Sequence, residues 1–156
     1  MNATDDSAKA QLAALDYLKK APLSVGQVRQ RLLNRGFSQS EAEQAIESLT
    51  QSGDLSDRNL ALSLSEKAIN NGRGPRWIEQ ALTRRYFVGE DIEHCLDLAR
   101  SKADEVAQAI LKRRYGPVAL KEASTRPKAA RFLHGRGFEE DTIEDALQAV
   151  PPPVEY

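Results

Sequence analysis

The sequence predicts an all-α fold, three tandem three-helix repeats stacked into an elongated, curved molecule, and three observations carry that prediction. Ala, Leu, Glu, Gln, Lys and Arg abound while Val, Ile and Thr are sparse, a mixture that favours helix over strand. Runs of alternating apolar and polar residues, the mark of half-buried strands, are missing. Finally, the string LLNRGF at 32–37 returns as LHGRGF at 133–138, which points to internal repetition.

Between those two strings an intermediate copy lines up. Leu32, Leu82 and Leu133 correspond, as do Phe37, Phe87 and Phe138, then Ala42, Ile92 and Ile143, then Ile46, Leu96 and Leu147. Successive offsets are 50 and 51 residues, and the four apolar columns keep internal spacings of five, five and four. Arg35, Arg85 and Arg136 form a fifth column. The copies are bounded at 10-52, 53-101 and 102-150, between a flexible N-terminus over 1-9 and a proline-rich tail over 151-156.

In the first copy Asp5 or Ser7 opens a helix running to about Lys20, with Leu12, Leu15 and Leu18 on its apolar stripe, and Pro22 stops it. Ser24 with Gln27 has the spacing of a capping box and starts a second helix whose core face carries Val28 and Leu32. Gly36 ends that helix as the left-handed residue past the C-cap, which brings the Phe37 amide to the Leu32 carbonyl and the two side chains together. Ser38 and Glu41 repeat the capping-box spacing, so a third helix follows at once and buries Ala42, Ile46 and Leu49.

The second copy starts near Asp57 as N-cap, with Leu60, Leu64 and Ala68 along its stripe up to the break NNGRGP. Pro75 suits the first turn of the next helix, where its missing N–H is not needed. Ile78 and Leu82 face the core there. Tyr86 stands where the other copies have glycine, and because a left-handed tyrosine costs about 1–2 kcal/mol, a different stop geometry is expected at this point. Glu90 to Arg100 forms the third helix. The last copy runs from Ala103 to Tyr115, breaks at YGPV, resumes after Thr125 and Pro127, stops at Gly137 and finishes with Asp141 to Val150. Each unit of about 45 residues buries little surface alone, so stability should come from stacking of neighbours.

Net charge is −1 in 156 residues, yet its distribution is uneven. The middle helices are basic: residues 25–36 hold three arginines and no acid, 73–85 hold four arginines against Glu79, and 121–136 hold Lys121, Arg126, Lys128, Arg131 and Arg136 against Glu122. The third helices are acidic, with three, four and five carboxylates in turn. Acids such as Glu90 and Asp141 sit in first turns and follow the helix dipole. Arg29, Arg31, Arg73, Arg76 and Lys128 do not, since they lie toward the start or middle of their helices. A positive stripe beside a negative one suits a partner that is itself a charged repeat, such as a nucleoprotein filament.

Catalytic and metal chemistry find no support in the sequence. His94 and Cys95 adjoin on a helix and diverge, His134 stands apart, and metal-ligand spacing is missing. Cys95 has no base at hand in the sequence and reads as a structural thiol. A single cysteine agrees with a reducing compartment, and the polar, acidic start lacks the layout of a secretory signal, so a cytoplasmic location is expected. The apolar residues, 40% of the chain, form short clusters only, well below the roughly 20 needed to span a bilayer. GRGP at 72–75 follows a helix rather than a strand and reads as a turn, and Trp77 reads as a packing anchor before a base-stacking platform.

Together, RGF ending the middle helix of the first and last copies, LSDRNLA at 55–61 and GRGPRWIEQAL at 72–82 resemble the bacterial RecX regulatory proteins, inhibitors of the RecA recombinase. The resemblance covers about residues 10–150, with 53–82 its most specific part. Departures from that family's pattern are Ser56-Asp57 and Leu60 near the start of the second copy, and Tyr86 in place of glycine. The resemblance implies a nonenzymatic modulator without cofactor that binds the RecA filament on single-stranded DNA in its helical groove. ATPase, strand exchange and co-protease activity would be inhibited, and weak direct DNA binding would accompany this. Expected contact residues are Arg29, Arg31, Arg35, Arg73, Arg76, Arg84, Arg85, Lys128, Arg131 and Arg136, with helix-end capping as the structural role open to Arg35, Arg85 and Arg136. The repeats should satisfy one another, so a monomer is expected. A free-standing DNA-binding helical protein is the competing reading, weakened by the acidic helix after each turn; a generic helical-repeat adaptor for another protein is the third.

Overall fold

The computed structural model describes residues 3–149, which leaves Val150 and the proline-rich tail outside the described residues. Among the described residues the chain forms eight helices: α1 (Ala3–Lys20), α2 (Val25–Asn34), α3 (Gln39–Gln51), α4 (Asp57–Asn70), α5 (Pro75–Arg84), α6 (Gly89–Ala119), α7 (Thr125–Gly135) and α8 (Glu140–Gln148). Two compact units emerge. One holds the chain up to Ser63 together with Leu82–Ile92, the other holds Leu64–Ala81 and the chain from Glu93 on. Each unit thus joins parts of neighbouring copies.

In the first unit both expected capping boxes form: Ser24 and Ser38 accept from the amides of Gln27 and Glu41, whose side chains bond back to the cap amides. The core collects Ala10, Ala13, Ala14, Val28, Leu32, Ala42, Ala45, Ile46, Leu49 and Leu55. The stripe of α1 therefore differs from the leucine stripe expected: Leu12 is 67% exposed, and Leu15 and Leu18 only flank the core. Alanines at 10, 13 and 14 facing Ala42 and Ala45 let α1 approach α3 closely, and a leucine at the contact would hold the helices apart. α1 also begins earlier than expected, at Ala3, so the segment anticipated as flexible is helical from there.

α4 starts one residue sooner in role than the sequence suggests. Ser56 rather than Asp57 occupies the capping position, its hydroxyl 3.5 Å from the Asn59 amide. Asp57 is thereby released for a distant partner, and its carboxylate accepts from the Val25 amide at 2.8 Å. Burial first, and the Asp91 carboxylate after it, push the Asp57 carboxyl above its ordinary value against the effect of that hydrogen bond.

The RGF strings act as helix stops in the first and last copies. Gly36 and Gly137 take φ of 104° and 95°, and the amides of Phe37 and Phe138 meet the carbonyls of Leu32 and Leu133, each at 3.1 Å. The middle copy overturns the expectation of another geometry: Tyr86 itself adopts φ 63°, with the Phe87 amide 3.3 Å from the Leu82 carbonyl. Burial of Phe87, 6% exposed, requires that turn whatever residue occupies it. Gly26 supplies the room, since a Cβ there would stand 2.5 Å from the Tyr86 Cβ. Tyr86→Gly is expected to raise stability in urea denaturation by about 1 kcal/mol, the relief of left-handed strain; a loss would show that tyrosine packing on Gly26 outweighs the strain.

Two helices anticipated as separate, over 90–100 and 103–115, are one: α6 runs through Arg100, Ser101 and Lys102. ARSKADEV contains strong helix formers and neither glycine nor proline, so nothing interrupts the hydrogen-bond ladder. The break comes at Gly116, φ 72° and ψ 165°, followed by Pro117. The second unit packs Ala103, Ala107, Leu111, Leu120, Ala129, Leu133, Phe138 and Ile143 into its core. Cys95 is buried, as a structural thiol should be.

Candidate partner-binding surface

The arginine columns separate into two roles once their partners are known. The Arg85 Nη2 donates to the Pro22 carbonyl at 2.8 Å, and the Ser24 hydroxyl donates to the Arg85 carbonyl. In the second unit the Arg136 Nε donates to the Gly72 carbonyl at 3.2 Å and its Nη2 to the Asn71 carbonyl. Backbone pairing tightens the same junction: the Gly74 amide donates to the Arg136 carbonyl and the Arg76 amide to the Gly137 carbonyl, both at 2.9 Å. Each arginine thus reaches back to the turn between the first and second helices of the preceding copy. Arg85 and Arg136 latch copies together, and neither caps the end of its own helix with its side chain. Glycine 74 is needed for this approach, because a Cβ there would lie 2.6 Å from the Gly137 backbone.

Arg35 has no preceding copy to reach. It is exposed, with Nη1 3.5 Å from the Tyr17 hydroxyl, and Arg31 stands over the same ring at 5.7 Å. Arg29 is engaged otherwise: its guanidinium forms a two-pronged ion pair with Glu43 of α3. The hydrogen bond from Arg29 holds the Glu43 carboxyl below its ordinary value. A partner would have to break that pair to use Arg29, so it contributes to unit 1 before it contributes to binding.

Among the remaining expected contacts, Arg73 lies 4.9 Å over the Trp77 ring and the Arg76 Nη1 is 3.0 Å from the His134 Nε2. Arg84, Lys128 and Arg131 are exposed. Trp77 serves packing and surface together: its backbone and Cβ press on Gly137 while the residue stays 37% exposed. Other cations are consumed internally. Arg100 pairs with Glu139 at 3.1 Å, and the Arg126 Nη2 donates to the Leu147 carbonyl near the end of α8 at 2.6 Å.

Sequence reasoning passed over Arg113 and Arg114, which belong to the part of α6 that carries the first helix of the last copy. Arg114 sits 4.0 Å over the Phe132 ring, and Arg136 lies 6.0 Å from that ring. The Arg136 guanidinium is held below its ordinary value, by burial first and then by the charges of Arg73, Arg113 and Arg114. A scan for adjacent basic residues, KRR at 112–114, is the signal that could have found them. Among the described residues no group of three His, Cys, Asp or Glu side chains converges as metal ligands would, and no helix is long and apolar enough to cross a membrane.

The model of the first three-helix domain of RecX matches residues 10–49. The regulatory protein RecX of Trichlorobacter lovleyi is 30% identical over 154 residues, covering 95% of this chain and 99% of the relative. That of Stenotrophomonas maltophilia is 29% identical over 138 residues, 88% of this chain and 85% of the relative. A crystal structure of RecX from Lactobacillus salivarius superposes with a TM-score of 0.81 at 21% identity, over 94% of this chain and 97% of that one. At that identity the likeness speaks for the fold, tandem three-helix repeats.

Proposed function

Because the chain belongs to the RecX family of regulatory proteins, we propose that it binds the RecA filament on single-stranded DNA, in the helical groove, and inhibits ATP hydrolysis, strand exchange and co-protease activity. It acts in the cytoplasm as a nonenzymatic monomer. The observation that carries this reading is the distribution of basic side chains left over from internal pairing: Arg31 on α2, Arg84 on α5, and Lys128 and Arg131 on α7 are exposed and none forms an ion pair among the described residues. The middle helix of every copy therefore keeps cations for a partner, and a periodic partner can meet them in series.

RecA's single-strand-DNA-dependent ATPase tests this, with the protein added at substoichiometric and then equimolar amounts. The wild type is expected to inhibit. A folded variant carrying Arg31→Glu, Arg84→Glu and Arg131→Glu should need at least about tenfold more protein for the same inhibition, ~1.4 kcal/mol of binding. Arg29 is left untouched because its substitution would also break the Glu43 pair. Full ATPase activity in the presence of the wild type would sink the reading and promote the free-standing DNA binder.

A further inference from the structure

Along the turn between α5 and α6, outward residues alternate with inward ones. Arg85 bonds the Pro22 carbonyl and Phe87 is buried. Arg84 is exposed, and Tyr86 and Val88 are 58% and 59% exposed. Among the described residues Tyr86 alone, outside the glycines, has a positive φ, 63°. A Cβ disfavours that conformation, and the matching positions of the other copies are Gly36 and Gly137. Burial of the ring is not what keeps a tyrosine here. Gly26 makes room for the Tyr86 Cβ, since a Cβ of its own would stand 2.5 Å away, yet the ring beyond stays largely outside. Among the described residues no aromatic ring stacks on it and no guanidinium covers it. Phe87 would be buried as well by a glycine turn, so the strain serves a contact outside the fold.

The charges around the apolar pair are mixed. Arg84 forms no ion pair among the described residues, and Glu90 stands exposed in the first turn of α6. A polyanion drawn to Arg84 would meet that carboxylate beside it. We propose that Tyr86 and Val88 are the apolar anchor of a protein-docking surface, seated in an apolar hollow of the partner that offers a carboxylate to Arg84 and a cation to Glu90. Tyrosine supplies a large, rigid contact with a polar tip, the type of side chain on which protein interfaces concentrate their affinity. Its left-handed backbone and its seat on Gly26 fix the ring's direction before binding, which lowers the ordering cost. The assignment rests on the filament reading and deepens it: this turn meets the protein of the filament and not its nucleic acid.

Biolayer interferometry on RecA filaments assembled on single-stranded DNA tests it with the full chain. Tyr86→Gly keeps the turn, because the other two copies stop on glycine, and should unfold in urea no earlier than the wild type. Its affinity for the filament should nonetheless fall at least about tenfold. Val88→Ser should weaken binding roughly fivefold, and Lys19→Gln should leave it unchanged. On a bare oligonucleotide Tyr86→Gly and the wild type should match. Equal filament affinities for the wild type and Tyr86→Gly would overturn the anchor and leave the filament reading intact, whereas no filament binding by the wild type would sink both. An equal loss on the bare oligonucleotide would reassign the ring to base stacking. A wild-type dimer in sedimentation that Tyr86→Gly dissolves would reassign it to a second copy of this chain, and earlier unfolding by Tyr86→Gly would assign it to the fold. Each of these three results overturns the proposal.

Discussion

Gly137→Ala should lower the stability of the second unit by roughly 2–5 kcal/mol, whereas Gly36→Ala, at the matching position of the first copy, should cost about 1–2 kcal/mol. Both glycines have positive φ, so both substitutions carry the left-handed penalty of about 1–2 kcal/mol. Only Gly137 is also enclosed. A Cβ there would stand 2.5 Å from the Trp77 amide nitrogen, whereas nothing lies within 4 Å of one at Gly36. Backbone cannot rotate away as a side-chain tip can, and overpacking of this kind adds about 1–3 kcal/mol. Urea unfolding followed by circular dichroism measures both variants, and Trp77 emission reports the second unit directly. Equal costs would mean that the copy junction yields to a methyl group, and the latch formed by Arg136 would then be looser than its hydrogen bonds suggest.

Phe138→Ala is expected to cost about 4 kcal/mol, the usual toll for truncating a phenylalanine in a closed core. Phe138 is 0% exposed and lies in the cluster with Leu111, Leu133 and Ile143. Phe37 takes the same place after its glycine but only flanks the first core, so Phe37→Ala should cost about half as much, in proportion to the smaller area returned to water. The same urea titrations compare them. A Phe37 variant as damaged as the Phe138 variant would show that the first core depends on that ring more than its partial burial implies.

These paired expectations also mark how far the sequence could be read. Helix stops were legible wherever the determining groups lie within one turn: Ser24 with Gln27, Ser38 with Glu41, and glycine between an arginine and a phenylalanine at 36 and 137. Hydrogen bonds of that range depend on spacing alone, so the residues name the geometry. The stripe of α1 was misread because leucine outranks alanine in hydrophobicity, while close helix packing favours the smaller side chain. Asp57 was misplaced for a related reason. Its carboxylate serves Val25, 32 residues away, a partner that no local rule can supply.

The binding surface was legible only in part. Counting charges along each middle helix found Arg31, Arg84, Lys128 and Arg131 on exposed faces, but it could not tell them from Arg29, Arg85 and Arg136, which spend their guanidinium groups on Glu43, Pro22 and the Asn71–Gly72 turn. Nor could it bring Arg113 and Arg114 toward Arg73, since α6 carries them from another copy.

By itself the sequence determined the helical class, the threefold repetition and the stops, because helix propensity, capping and the apolar columns act over a few residues. Tertiary structure alone decided that Tyr86 bends left-handed, and which arginines latch and which stay available. Those outcomes depend on groups that share no local sequence: burial of Phe87 requires a turn its neighbour disfavours, and a guanidinium bonds whichever carbonyl the packing of distant helices brings within 3 Å or so.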